Sequence, residues 1–504
     1  MLVQHGVRHL LLADDRSESQ QNAIIPLLNA YHPFPSLPPE GRSSVVDPTP
    51  VQTIISVSAG QVIAIGSLDR SIRLHDLQLS VHTQTQPLQT DSNQIWFDIA
   101  HIQRLPKRNV SETGSPIDTT NGKLQSLKWT PSTIQTALPS TSNTLPPNLQ
   151  TNRRFDLPFF RDGNVYQRTL IRELIRYDDQ IVIYGDAESA EHLAAADAIQ
   201  QCSISTVLKF VSQSIGEISD LDGNGRLALV LGQLADANPT QSESRRRNDL
   251  EQDAKETNQE PIRGCVRPAD FQKTRTDSVD VIYLDPRHLQ ADELQSLLAH
   301  EFAHAATFSL LVESGQQPTA MPSWLNEAIA HHIEQQIAPA AKNLLQRRRL
   351  FQAKTWMYPS IIPEQFTGME LRRGPSRIAS LELLQSALNA NIDKNLQTLI
   401  TSSGDGINRL VTANHTDFKS LFRNFTRQLV QQRDNIAQQH GNRPANRNPQ
   451  SSAFRLKLAS EQAIQIRGTS VAISSPAEED CELLIKTTRD AMLQITVIQS
   501  PIQN

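Results

Sequence analysis

The chain has 504 residues, 38% hydrophobic and 20% charged, enough for two or three domains. Its formal net charge of -5 is small for this length and no basic block stands out, which argues against a nucleic-acid partner. Cys202, Cys265 and Cys481 are scattered, with no C-x-x-C pair, so they support neither a disulfide framework nor a thiolate metal site and read as small buried hydrophobes.

No apolar run approaches the ~18 residues needed to cross a membrane, so no transmembrane segment is expected. The patch "HLLLA" near the start is too short for the apolar core of a secretory signal, and no export signal is visible. Residues 1–150 read as low-complexity linkers plus a small β-rich region. "YHPFPSLPPEGRSS" and "LPSTSNTLPPNLQ" are the linkers. Between them, "TIISVSAGQVIAIGSLDRSIRLHDLQLSV" and "QIWFDIAHIQRL" are strand-like, with alternation clearest in "SIRLHDLQL".

From 151 to 440 the pattern becomes orderly. "VYQRTLIRELIRY" has apolar residues at helical spacing, and "QIVIYGD" reads as a buried strand. "DAESAEHLAAADAIQQCSISTVLKFVSQSI" reads as one long helix or two. "RLALVLG" and "DSVDVIYLDP" are further strands, with "RGCVRPADF" a weaker one. The charged stretch Ser242 to Glu260 reads as a mobile insertion. After Leu294 the pattern is nearly all helical. Together these predict an α+β domain with a mixed sheet and a helical C-terminal part. Residues 441–452 read as a linker, and 453–504 alternate again, as a small β domain.

The densest chemistry lies in "LLAHEFAHAATF", which holds His300, Glu301 and His304 in the pattern H-E-x-x-H. On a helix the two imidazoles share one face, one turn apart, and can bind a single zinc ion. Glu301 beside them is placed to take a proton from water rather than to bind metal. Zinc needs a third protein ligand. The longer H-E-x-x-H-x-x-G-x-x-H form is absent, because Thr307 and Leu310 stand at its Gly and last His positions. The following "MPSWLNEAIAHHIEQQI" can start a helix at Pro322 and Ser323 and return Glu327, in its first turn, over the His pair. Trp324 and Leu325 favour Glu327 by fixing that turn; His331, His332 and Glu334 compete for the role. Burying two histidines and two carboxylates without a cation would be costly.

His300-Glu301-x-x-His304 followed by "WLNEAIAH" resembles the gluzincin metallopeptidases. With "DLDGNGRLALVLG", "IRGCVRPADF", "DVIYLDP" and "DFKSLFRNFTRQLV" in this order, the segment 150–440 is similar to the hyicolysin-type neutral zinc metallopeptidases and their bacterial relatives. The resemblance implies a zincin-like domain, a protein or peptide substrate, and an extracellular or cell-envelope location. It implies His300, His304 and Glu327 as zinc ligands and Glu301 as general base. The chain departs from relatives at Ala328, where gluzincins often have Gly, and in "RRGPSRIASLELLQSAL", which lacks their aromatic residues.

"DLDGNG" opens like a calcium loop, with Asp220, Asp222 and Asn224 as candidate ligands. Its twelfth position would be Leu231, which excludes an EF-hand, leaving an Asx-rich turn or a Ca²⁺ site completed from elsewhere. Candidate donors to the oxyanion of peptide hydrolysis are His331, His332, Tyr358 and Arg373. "RGCVRPADF" is a candidate edge strand for an extended peptide. The leading expectation is a zinc metallopeptidase; the rival is a binding or structural protein that retains a peptidase-like domain. An intact Glu301 favours the enzyme, since metal binding alone needs no such base.

Overall fold

The computed structural model describes residues 25–26, 51–69, 74–82, 95–101, 148–161, 164–235, 262–272, 279–352, 357–358, 374–388, 392–440, 461–467, 469–487 and 492–499. Strands β1 (Ile25–Pro26), β2 (Val51–Val57), β3 (Gln61–Ser67), β4 (Leu74–His82) and β5 (Ile95–His101) come first. A hairpin follows, β6 (Asn152–Arg161) and β7 (Asn164–Tyr177), then β8 (Ile181–Gly185). Helices α1 (Ala190–Gln201) and α2 (Ile204–Ser214) lead to β9 (Leu227–Leu231), β10 (Gly264–Cys265) and β11 (Val281–Leu284). The helical part holds α3 (Leu294–Glu313), α4 (Ser323–Ile337) and α5 (Lys342–Gln352). After β12 (Met357–Tyr358) come α6 (Gly374–Leu388), α7 (Ile392–Thr401), α8 (Gly406–Asn414) and α9 (Phe418–His440). Strands β13 (Glu461–Arg467), β14 (Val471–Ile473), β15 (Cys481–Thr487) and β16 (Leu493–Gln499) close the chain.

The architecture is mixed α and β. The main sheet runs β1-β7-β8-β9-β11-β10, with β6 paired to β7. β8, β9 and β11 are parallel and buried at every position, which is why they read as unbroken apolar runs. β10 is the terminal strand, antiparallel to β11. α3 lies against this end of the sheet. It is buried on almost every face because α2, α4 and the sheet all pack on it. Gly315, at φ 79°, takes the left-handed turn that ends α3.

Two expectations are corrected. "VYQRTLIRELIRY" is not a helix but β7, paired with β6 over ten registered positions and with β8. Tyr166, Leu170 and Leu174 are four residues apart, a spacing that shares one face of a strand as well as of a helix. β-branched and aromatic residues (Val165, Tyr166, Thr169, Ile171, Ile175, Tyr177) and the adjacent pairing partners decide for strand.

The second correction concerns the chain ends. The region 453–504 does not form a β unit of its own. β13 and β15 pair with β4, and β15 with β2; β14 and β16 pair with β3, and β16 with β5. Strands from 51–101 and 461–499 thus build one pair of sheets around a shared core of Ile55, Ile63, Ile65, Leu77, Ile466, Leu483, Ile485 and Ile495. The opposite face of one sheet (Val62, Ala64, Val471, Ile473, Ile498) joins the helical core. There a Cβ on Gly66 would stand 2.3 Å from the Phe422 ring of α9. β12, from between helices, also pairs with β14. The insertion 242–260 and the linker 441–452 lie outside the described residues. Among the described residues no helix is long and apolar enough to cross a membrane.

Candidate metal centre

α3 aims His300 and His304 the same way. Their Nε2 atoms are 3.1 Å apart and the rings meet edge to face at 4.7 Å. α4 brings Glu327 back over them as its fifth residue, just past the first turn. Glu327 Oε2 lies 3.7 Å from His300 Nε2 and Oε1 lies 3.9 Å from His304 Nε2. Ligand bonds of about 2.0–2.1 Å in a tetrahedron set ligand atoms roughly 3.3 Å apart, close to this spacing. Glu327 Oε2 is also a buried oxygen with no hydrogen-bond partner. Two imidazole nitrogens and a carboxylate at this spacing fit a divalent cation, although the Arg377 guanidinium also stands 3.3 Å from Glu327 Oε2, and the donor set suits zinc.

The α3–α4 connection is held from outside. Arg409 of α8, fully buried, donates to Gln316 Oε1 at 2.9 Å and Ala320 O at 3.0 Å, and also to Ile400 O and Gly404 O. Trp324, three residues before Glu327, packs so closely on α8 that a Cβ on Gly406 would stand 2.3 Å from its ring.

Glu301 belongs to no metal-capable group among the described residues. Its carboxylate instead abuts the backbone of β10: a Cβ on Gly264 would stand 2.6 Å from Glu301 Oε1. Burial pushes its pKa up to about 7, with the His300 charge opposing and Glu327 assisting.

Beneath His300 lies a second, fully buried group of His300, His331 and Glu334. It uses the other ring nitrogen: His300 Nδ1 is 3.4 Å from Glu334 Oε2, and His331 Nδ1 reaches the same oxygen at 2.7 Å. Ser296 (2.5 Å) and Asn343 (2.6 Å) donate to Glu334 Oε1. His331 Nε2 faces the Arg347 guanidinium at 3.1 Å, which disfavours a cation there. Glu334 therefore orients His300 rather than competing for the ion. His332 is in neither group.

The charges follow this geometry. Burial works against a charged His300, but the Glu334 carboxylate 3.4 Å away and the negative charges of Glu327 and Glu301 raise its pKa. His304 is lowered to about 4 by burial and by the charge of His300, leaving a neutral imidazole able to ligate. His331 is likewise lowered to about 4, chiefly by burial. Burial alone would raise Glu327, yet Arg377 and the surrounding histidines hold it below the usual carboxylate range. Glu334, despite burial, is held well down by His300 beside it and by its bond with His331.

Arg377, in the first turn of α6, places a guanidinium nitrogen 3.3 Å from Glu327 Oε2. Sequence reasoning missed it, since one arginine at the start of a largely apolar helical stretch carries no spacing signal. Tyr358 pairs through its backbone in β12; its side chain and Arg373 lie outside the described residues.

At the calcium-like loop, Asp220, Asp222 and Asp280 converge, with Asn224 bonded into the same turn. Asn224 Nδ2 donates to Asp222 and its Oδ1 accepts from the Arg226 N–H. Asp220 accepts from the backbones of Asn224 and Gly225, the pattern of an Asx turn. Arg153 pairs with Asp222 and already supplies a cation. Burial, reinforced by Asp222, pushes Asp280 up to about 8.

No protein-family model matches the chain, and no curated protein matches it.

Proposed function

We propose that this chain is a zinc-dependent peptidase of gluzincin type, with a zincin-like domain over roughly 151–440. The observation that carries the reading is the division of labour on two helices. His300, His304 and Glu327 converge as a three-ligand group, while Glu301 of the same helix turns its carboxylate aside toward the edge strand β10. Zinc held by the three ligands would supply Lewis acidity and a water of lowered pKa. Glu301 takes a proton from the attacking water and returns it to the leaving amine. Glu334 keeps His300 in the tautomer that presents Nε2 to the ion. Among the described residues β10 ends the sheet, so an extended peptide can add to its outer edge beside Glu301.

The test is Glu301→Gln, which keeps shape but removes the base. We expect about one zinc per chain in wild type and variant, and peptide-library cleavage reduced by ~10²–10⁴-fold in the variant. Equal cleavage by both would refute the base. A zinc-loaded wild type that cleaves nothing would favour a binding protein that retains a peptidase-like domain.

A further inference from the structure

We propose that Arg377 is a catalytic residue of this centre, the donor that meets the negative charge growing on the scissile carbonyl oxygen as water adds to its carbon. This rests on the peptidase reading above.

Geometry comes first. Arg377 rises from the first turn of α6, which packs on α4, and its guanidinium stands 3.3 Å from Glu327 Oε2. Its side chain is 18% exposed, so it lies at the rim of the centre rather than beneath it. Glu334, Ser296, Asn343, His331 and Arg347 occupy the buried side, against His300 Nδ1. Arg377 is on the side of the ligand atoms themselves. Its charge is felt at Glu301 and His304 as well as at Glu327.

The charge count explains why a cation would be kept there. A divalent ion already balances Glu327, so an arginine serving only as that carboxylate's partner would be redundant and would oppose metal binding by like-charge repulsion. Arg347 offsets the ionised Glu334 on the buried side, so two charges from zinc and one from Arg377, set against Glu301 and Glu327, leave one positive charge among these groups. That is the balance suited to one additional negative charge. A fixed cation aimed where charge develops, in a partly dry site, is an effective form of electrostatic catalysis.

The step balances without any redox partner. The water oxygen bonds to the carbonyl carbon, and its proton passes to Glu301. The carbon–oxygen π pair moves onto the oxygen beside Arg377. That pair then returns, the carbon–nitrogen bond breaks, and the proton held by Glu301 goes to the departing nitrogen.

The experiment compares wild type with Arg377→Met and Arg377→Lys in the full chain. Three quantities are measured: zinc content, kcat and KM on a peptide, and the affinity of the metal-loaded protein for inorganic phosphate as a tetrahedral anion. Phosphate binding is read from the visible spectrum after cobalt replaces zinc. We expect both variants to keep the metal. In Arg377→Met, kcat should fall ~10²–10³-fold with little change in KM, and phosphate should bind at least ~10-fold more weakly. Arg377→Lys keeps the charge and stem, so its losses should be smaller; it is read alone if the Met variant does not fold. Loss of metal from the variants would make Arg377 a positioning residue for Glu327 and overturn the proposal. Unchanged kcat, unchanged phosphate affinity, or a wild type that binds no phosphate would also overturn it. If wild type cleaves no peptide but phosphate binding still depends on Arg377, the peptidase reading fails while the anion-facing role stands.

Discussion

If the proposed peptidase reading holds, Gly264→Ala should slow peptide hydrolysis without unfolding the protein. Gly264 sits in β10 with Glu301 against its α-carbon. The added Cβ would lie 2.6 Å from Oε1 and 2.8 Å from Cδ of that carboxylate. Ordinary contact begins near ~3.4 Å, so the carboxylate must retreat by roughly 0.8 Å. Gly264 is not among the glycines with positive φ, so alanine suits the backbone, and the obstructed atoms are the end of a flexible side chain. The fold therefore loses little; exchanging strand glycine for alanine even returns about 0.5–1 kcal/mol of backbone entropy. Catalysis loses more, because misplacing a reacting group by ~1 Å costs on the order of 10²-fold. Peptide hydrolysis, melting temperature and zinc content measured side by side should show kcat down ~10²-fold, the other two nearly unchanged. Cys265→Ala is the control, since Cys265 packs into the core on the opposite face of the sheet. A fully zinc-loaded Gly264→Ala with wild-type kcat would show that Glu301 does not act from where it is seen.

Glu334→Gln should weaken zinc binding by ~10–100-fold, measured by chelator competition, because His300 loses the carboxylate that orients it; unchanged affinity would make Glu334 a packing residue. A chain cut to 151–440 should aggregate or melt far below the full protein in calorimetry. The cut bares the helical core that Val62, Ala64, Val471, Ile473 and Ile498 cover, at ~1.5–3 kcal/mol per large side chain. A soluble, cooperatively melting fragment would refute that. Asp280→Asn should flatten the pH dependence of stability. Asp280 titrates near 8 in the folded protein, against an ordinary value of 3.8 for an exposed aspartate. Its contribution is therefore full below about pH 4 and is lost as pH rises through 8, at no more than about 1.4 kcal/mol for each step of one in pH. Thermal melts from pH 4 to 9 check this, and a calcium-dependent rise in melting temperature that needs Asp280 would instead assign the acidic group to a cation.

The legible parts were those whose signal is local. Parallel strands buried on both faces, such as "RLALVLG" and "DVIYLDP", announce themselves as apolar runs. The α3 and α4 helices follow from apolar spacing, and the position of Glu327 over His300 and His304 follows from the start of α4 just before it. Illegible parts depended on partners distant in sequence. β7 shows the same i, i+4 apolar spacing that a helix would, and only β6 and β8 beside it settle the matter. The pairing of β2–β5 with β13–β16 spans the whole chain, so each end alone looked like an isolated β region. Asp280 went unread as a member of the acidic group because it arrives just before β11, 60 positions after Asp220. Arg377 was invisible for the same reason.

Glu327, His331 and Glu334 occupy positions i, i+4 and i+7 of α4, and so face α3 as one stripe. Ser296, His300 and His304 answer them at four-residue spacing from α3. In such a double stripe the residue type does not decide the role; the nitrogen of His300 that each group meets decides it. Glu327 stands nearest Nε2, the place of a third ligand on the proposed reading, while Glu334 stands nearest Nδ1, the place of a supporting group. A shift of α4 along α3 by one residue, about 1.5 Å, would present neither carboxylate correctly. Register between the helices is thus the quantity the fold must fix. The buried Arg409 clamp on Gln316 and Ala320 and the Trp324–Gly406 contact both act at the α3–α4 connection, where that register is set. The helices that follow the metal centre in sequence serve it by holding this turn.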